Sequence, residues 1–131
     1  MRRAILLAIT SWDPDDWDRR FRALAPDRDI RLWPDRTGDP ADIVYACAWK
    51  PPRGLLAGFP HLEVIFSLGA GVDHLLTDPS LPQVPVVRIV DPDLTRRMSE
   101  YVALHVLMHH RGQRCYDAQQ RDLVWCDHHQ P

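Results

Sequence analysis

The segment Leu62-Glu63-Val64-Ile65-Phe66-Ser67-Leu68-Gly69-Ala70-Gly71-Val72-Asp73-His74 is the part of the sequence best suited to chemistry. Its apolar half reads as a strand, its glycines as a turn, and Val72-Asp73 as a helix start. Such a turn aims backbone N–H groups outward. Unsatisfied amides at a helix N-terminus suit a carboxylate or phosphate, and small residues let a ligand come close. The same spacing describes a bare strand-to-helix turn equally well. Trp49-Lys50-Pro51-Pro52 closes an earlier apolar run. Ligands on open parallel sheets bind beyond the carboxyl ends of the strands, so Trp49 is a candidate wall of the same pocket, or simply a core residue.

Other chemistries fit less well. Gly69-Ala70-Gly71 with Asp91 imitates a dinucleotide fingerprint, but His74 stands where the third glycine belongs and the turn follows a fourth apolar run. A receiver domain of two-component signalling needs an aspartate ending the third strand and a lysine ending the fifth. Asp13 and Ser67 serve loosely, yet Trp49-Lys50 holds the phosphoacceptor place and Asp91 lies near that of the lysine. His105 and His109 stand four apart with no third ligand at a motif spacing, so no metal is expected. His109-His110, His128-His129 and the lone Cys47 read as packing or surface residues.

The elements that must position these groups follow from the apolar runs. Residues 4 to 9 are continuously apolar, as in a parallel strand covered on both faces. Asp13-Pro14 then supplies an N-cap and a first-turn proline, and Trp17, Phe21 and Leu24 form the stripe of a helix that stops before Pro26. Further strands are expected at 30–33, 43–49, 62–68 and 84–90, with short helices at 53–59 and 72–76. This alternation predicts an α/β fold: a flavodoxin-like, doubly wound parallel five-stranded sheet. From Thr95 to about Val124 one long helix is expected, with Met98, Tyr101, Val102, His105 and Met108 on one face and a possible break at Gly112.

Composition sets the frame. The 131 residues are 45% hydrophobic and 26% charged, the balance of a globular chain long enough to build its own core. Sixteen basic against eighteen acidic residues give a net charge of -2, which argues against nucleic-acid or membrane-surface partners. Lys50 is the only lysine, and the arginines are interspersed with aspartates. Three widely spaced cysteines suggest reduced thiols and a cytoplasmic protein. The apolar run after Met1-Arg2-Arg3 is too short to span a membrane and lacks a cleavage site, so no signal peptide is expected.

Trp49-Lys50-Pro51-Pro52, Phe66-Ser67-Leu68-Gly69-Ala70-Gly71-Val72-Asp73 and Met98-Ser99-Glu100-Tyr101-Val102 together resemble the N-terminal part of D-2-hydroxyacid dehydrogenases, most closely the glyoxylate/hydroxypyruvate reductase A branch. The resemblance implies a substrate-binding domain, residues 1–95, that is incomplete. Residues 96–131 would be a long interdomain helix and tail leading to an absent nucleotide-binding domain. It implies that amides of Ala70, Gly71 and Val72 hold the carboxylate of a small 2-oxo acid, with Gly69 permitting the approach and Trp49 lining the substrate side. Met98 would lie near the nicotinamide of NADPH or NADH.

The family's catalytic arginine, acidic residue and histidine, with the C-terminal helix that completes the substrate domain, would all lie beyond Pro131. No catalytic residue is therefore expected in this chain, which alone should be inactive. A homodimer is the expected assembly. The competing expectation is a stand-alone flavodoxin-like binding or regulatory module.

Overall fold

The structure, a computed structural model, describes residues 3–129. It divides into two compact units, Met1–Val90 and Asp91–Pro131.

The first unit is an all-parallel sheet of β1 (Ala4–Ile9), β2 (Asp29–Leu32), β3 (Ile43–Trp49), β4 (Val64–Ser67) and β5 (Val86–Val87), in the order β2-β1-β3-β4-β5. That is the flavodoxin-like strand order. β1 lies at its centre because its unbroken apolar run can be buried on both faces. Leu6 and Ala8 pack with Ala46, Ala48, Ile65, Leu56 and Leu75. Leu7 and Ile9 pack on the opposite face with Ile30, Leu32, Cys47 and Leu68. Successive side chains of a strand point to opposite faces, so each residue shift in the run feeds the other core.

The helix expected after β1 is α1 (Pro14–Leu24), and the Asp13 side chain accepts a hydrogen bond from the Asp15 amide at its start. Trp17 and Phe21 carry it onto the Leu7 face. Beyond α1 that face keeps an apolar hollow of about 430 Å³, lined by Ile5, Phe21, Tyr45, Phe66 and Ile89 among others.

Two elements are shorter than the sequence suggests. The strand expected over 84–90 contracts to β5, paired with β4 only through Ile65 and Phe66. Pro85 has no N–H to give the ladder, though its carbonyl accepts from the Ile65 amide at 3.0 Å. The helix expected over 53–59 is one 3-10 turn, Leu56–Gly58, preceded by Gly54 in the left-handed region at φ 80. A second helix, α2 (Asp73–Leu76), follows β4.

In the second unit the single helix expected from Thr95 to Val124 is two. α3 (Pro92–His110) starts three residues early because Asp91 caps it, accepting from the Asp93 amide at 2.9 Å with proline in the first turn. Gly112, at φ 63, ends it, and α4 (Gln113–Arg121) follows. A left-handed residue cannot continue a right-handed helix. No described residue from Asp91 onward is buried.

Candidate functional site

The glycine turn is built from below by Ser67, the last residue of β4 and only 2% exposed. Its Oγ donates towards the Gly69 carbonyl at 3.1 Å and the Gly71 carbonyl at 3.0 Å, and accepts from the Gly69 amide at 3.3 Å. One hydroxyl hydrogen cannot serve both carbonyls fully, so the two carbonyl contacts share it. The Gly69 carbonyl also accepts from the Ile89 amide at 3.3 Å. With the carbonyls of Gly69 and Gly71 turned inward, the amides of Ala70, Gly71 and Val72 donate no hydrogen bond among the described residues. Three successive free amides are the kind of donor set that can receive an anion. α2 has four residues, so its dipole adds little.

Trp49 is placed at the carboxyl end of β3, where the Thr10 amide donates to its carbonyl at 3.3 Å and Thr10 Oγ1 donates to the Lys50 carbonyl at 2.7 Å. Its indole reaches the turn. A Cβ built on Gly69 would lie 2.3 Å from Trp49 Cζ3, so Gly69 is glycine because the indole lies against its Cα. The resemblance gave that glycine to ligand approach; here its close neighbour belongs to the chain itself. At Gly71 a Cβ would meet only Asp73 Oδ2, at an ordinary 3.6 Å. Trp49 thus stands beside the turn, as the shared carboxyl edge of adjacent parallel strands predicts.

Four further residues complete the edge. Trp12 stacks on Trp49 with ring centroids 4.3 Å apart and an interplanar angle of 9°, and Trp17 stacks on Trp12 at 5.7 Å. His74, at the start of α2, turns its ring onto Trp49 at 4.8 Å. Lys50 Nζ lies 5.6 Å from the Trp49 ring centroid, bringing a positive charge to the same edge. Ser67 and Trp12 were not singled out from the sequence as parts of this site. A hydroxyl directly before a glycine turn was the available sign for Ser67; Trp12 had none.

The other candidates lie on other elements. Met98 is on α3 in the second unit, 53% exposed, beside Leu94, Thr95, Val102 and Val106. Asp91, which imitated a ribose-binding carboxylate, is the cap of α3. Cys47 lies in β3 with its thiol pushed up to about 12 by burial, so it stays protonated and unreactive at neutral pH. Among the described residues no group of three or more His, Cys, Asp or Glu is placed to hold a metal ion. No helix there is long and apolar enough to cross a membrane.

A parallel β2-β1-β3-β4-β5 sheet with an amide-lined turn after β4 belongs to the α/β class whose ligands sit at the carboxyl edge. No family model matches the chain. Glyoxylate/hydroxypyruvate reductase A of Yersinia enterocolitica is 35% identical over 120 residues, 87% of this chain and 38% of that protein. A probable 2-hydroxyacid dehydrogenase from Rhizobium etli, solved with NADP, HEPES and L(+)-tartaric acid, matches with TM-score 0.86 and 40% identity over 100% of this chain and 42% of its own. The NADPH-dependent glyoxylate/hydroxypyruvate reductase of Sinorhizobium meliloti, solved with NADP and sulfate, matches with TM-score 0.81 and 38% identity over 99% and 42%. The resemblance to D-2-hydroxyacid dehydrogenases of the glyoxylate/hydroxypyruvate reductase A type therefore holds along the chain. The chain spans about two fifths of the length of the curated relatives it matches.

Proposed function

We propose that the chain is the substrate-binding part of an NAD(P)H-dependent 2-oxo acid reductase that acts on glyoxylate, hydroxypyruvate or a close relative. The carrying observation is the run of unpartnered amides at Ala70, Gly71 and Val72 beside the Trp49 indole. A carboxylate accepts from two or three of these donors at once, and their fixed geometry holds the neighbouring carbonyl carbon in one place. Trp49 lines the side of the substrate and Lys50 adds attraction for an anion. Residues 1–95 supply this surface, and residues 96–131 lead from it into the rest of the reductase.

The cofactor is NADPH or NADH; two of the similar structures hold NADP. A bound nicotinamide would supply hydride. Among this chain's residues Met98, 53% exposed on α3, would lie near that nicotinamide. In this reading the chain's part is to bind and orient substrate. The exposed apolar residues of α3 suit contacts inside a larger homodimeric enzyme, and the three free cysteines suit the cytoplasm. No observation favours a stand-alone module.

Amide NMR of the isotopically labelled chain titrated with glyoxylate tests the site. The amides of Ala70, Gly71 and Val72 should shift together, and Gly71→Val should remove the response while leaving the strands' spectrum intact. In the complete reductase the same change should raise KM for glyoxylate. A titration in which those three amides stay still while others move would refute the assignment.

A further inference from the structure

We propose that His74 is a positioning residue of this edge: its neutral ring clamps the Trp49 indole beside the glycine turn, and protonation of that ring releases the indole. Trp49 is held on three sides, by the Trp12 stack at 4.3 Å, by the Gly69 backbone and by the His74 ring at 4.8 Å. Two of these contacts are chemically fixed. Only His74 can change its state near neutral pH.

The geometry of the ring explains why its state matters. One nitrogen hydrogen-bonds the backbone of Ala48, the residue before Trp49 in β3. Nε2 is buried and has no hydrogen-bond partner among the described residues. The neutral ring therefore ties α2 to β3 through one bond while presenting its other face to the indole. A proton on Nε2 would create a buried charged donor with no oxygen or nitrogen to receive it, an arrangement that costs desolvation.

The charged groups acting on the ring are Lys50 from the end of β3, which opposes protonation, and Asp73 from α2, which favours it. The neighbouring faces contributed by Trp12 and Gly69 carry no titratable group. Burial, the largest influence, holds the His74 pKa below its ordinary value; the Ala48 bond works against that, Lys50 adds to it and Asp73 opposes it. An unfolded histidine protonates near pH 6.5. The folded chain should thus be fully stable above about pH 6.5, lose stability as pH falls below it, and level off once pH is under the folded pKa.

The clamp does not depend on what the turn binds. Only its consequence for substrate, a weaker hold on a 2-oxo acid when Trp49 is released, rests on the function proposed above. The test is a pH titration of the full 131-residue chain followed by NMR, reading the His74 ring protons and the Trp49 indole N–H together. Trp49→Phe identifies the indole signal. Both signals should move with one midpoint, lower than that of an ordinary histidine. His74→Phe, which keeps a ring but cannot titrate, should abolish the movement of the indole signal. His74→Asn, which keeps a donor for the Ala48 carbonyl but loses the ring, should leave that signal pH-independent and shifted from its wild-type position.

An indole signal that stays put while His74 titrates overturns the proposal. So does a shift that survives in His74→Phe, or a His74 ring that remains neutral until the chain unfolds. The wild-type titration decides the matter even if a variant fails to fold. A parallel glyoxylate titration separates the two proposals: a silent turn with coupled His74 and Trp49 signals removes the substrate site and leaves the clamp, and the reverse pattern removes the clamp alone.

Discussion

Leu6 and Leu7 in β1 are wholly buried, one on each face of the sheet, whereas Leu104 and Leu107 in α3 are 55% and 60% exposed. The same residue type meets opposite fates because the two units differ in how apolar side chains are grouped. In the sheet, alternation sends every second residue to a common plane, and neighbouring strands extend each plane into a core. In α3 the apolar residues Leu94, Met98, Tyr101, Val102, Leu104, Val106 and Leu107 go most of the way round the cylinder. A helix apolar on most sides is made for burial by other elements. The first unit supplies its own interior, and the second leaves most of its apolar side chains exposed.

Thiol labelling should break or sustain this contrast with the largest effect. Cys115 and Cys126 are exposed and Cys47 is buried, with its thiol held protonated at neutral pH. Two thiols should react at once with a disulfide reagent. The third should react at least about a hundredfold more slowly, since it must await opening of the sheet. Three equally fast thiols would mean that the core of the first unit is not closed.

Next in size is a pair of leucine truncations followed by urea unfolding. Leu6→Ala removes a wholly buried side chain and should destabilise by about 2–5 kcal/mol. Leu104→Ala should stay within about 0.5 kcal/mol, as surface changes do. Comparable losses would show that α3 is packed in solution, and that the helix pair has found a partner surface.

The sequence made the sheet legible because periodicity is a local signal that tertiary structure rarely opposes when cores form on both faces. The run from Ala4 to Ile9 could be little else, and Asp13-Pro14 marked the start of α1. The ends were harder. β5 is cut to two residues by what Pro85 cannot donate, and the helix after Thr95 is split by the backbone of Gly112, whose left-handed φ depends on the chain around it. Within the site, the turn and Trp49 were visible as residue types at strand ends. His74 was not legible as part of the edge because its orientation is decided by a partner twenty-five positions away, nor was Trp12, because stacking between a loop and a strand end leaves no trace in spacing. Ser67 was visible as a hydroxyl, but its role required knowing that the carbonyls of Gly69 and Gly71 fold back over it.

The two glycines of the turn give the smallest expected effect and sharpen the contrast at the scale of one atom. Gly69 and Gly71 look interchangeable in sequence, but only the first has a neighbour where a side chain would go. A methyl at Gly69 would sit 2.3 Å from Trp49 Cζ3, inside contact distance of a ring held by Trp12 and His74. The ring has little room to yield, so Gly69→Ala should destabilise by about 1–3 kcal/mol, the usual range for overpacking, and should move the Trp49 indole signal. A methyl at Gly71 meets only Asp73 Oδ2 at 3.6 Å, and its φ is not in the left-handed region. Gly71→Ala should therefore change stability by less than about 0.5 kcal/mol, while a bulkier residue there blocks the free amides from an anion. Urea unfolding of the two alanine variants checks the difference. Equal stability losses would mean that the indole moves aside freely, and that Trp49 is not a fixed wall of the site.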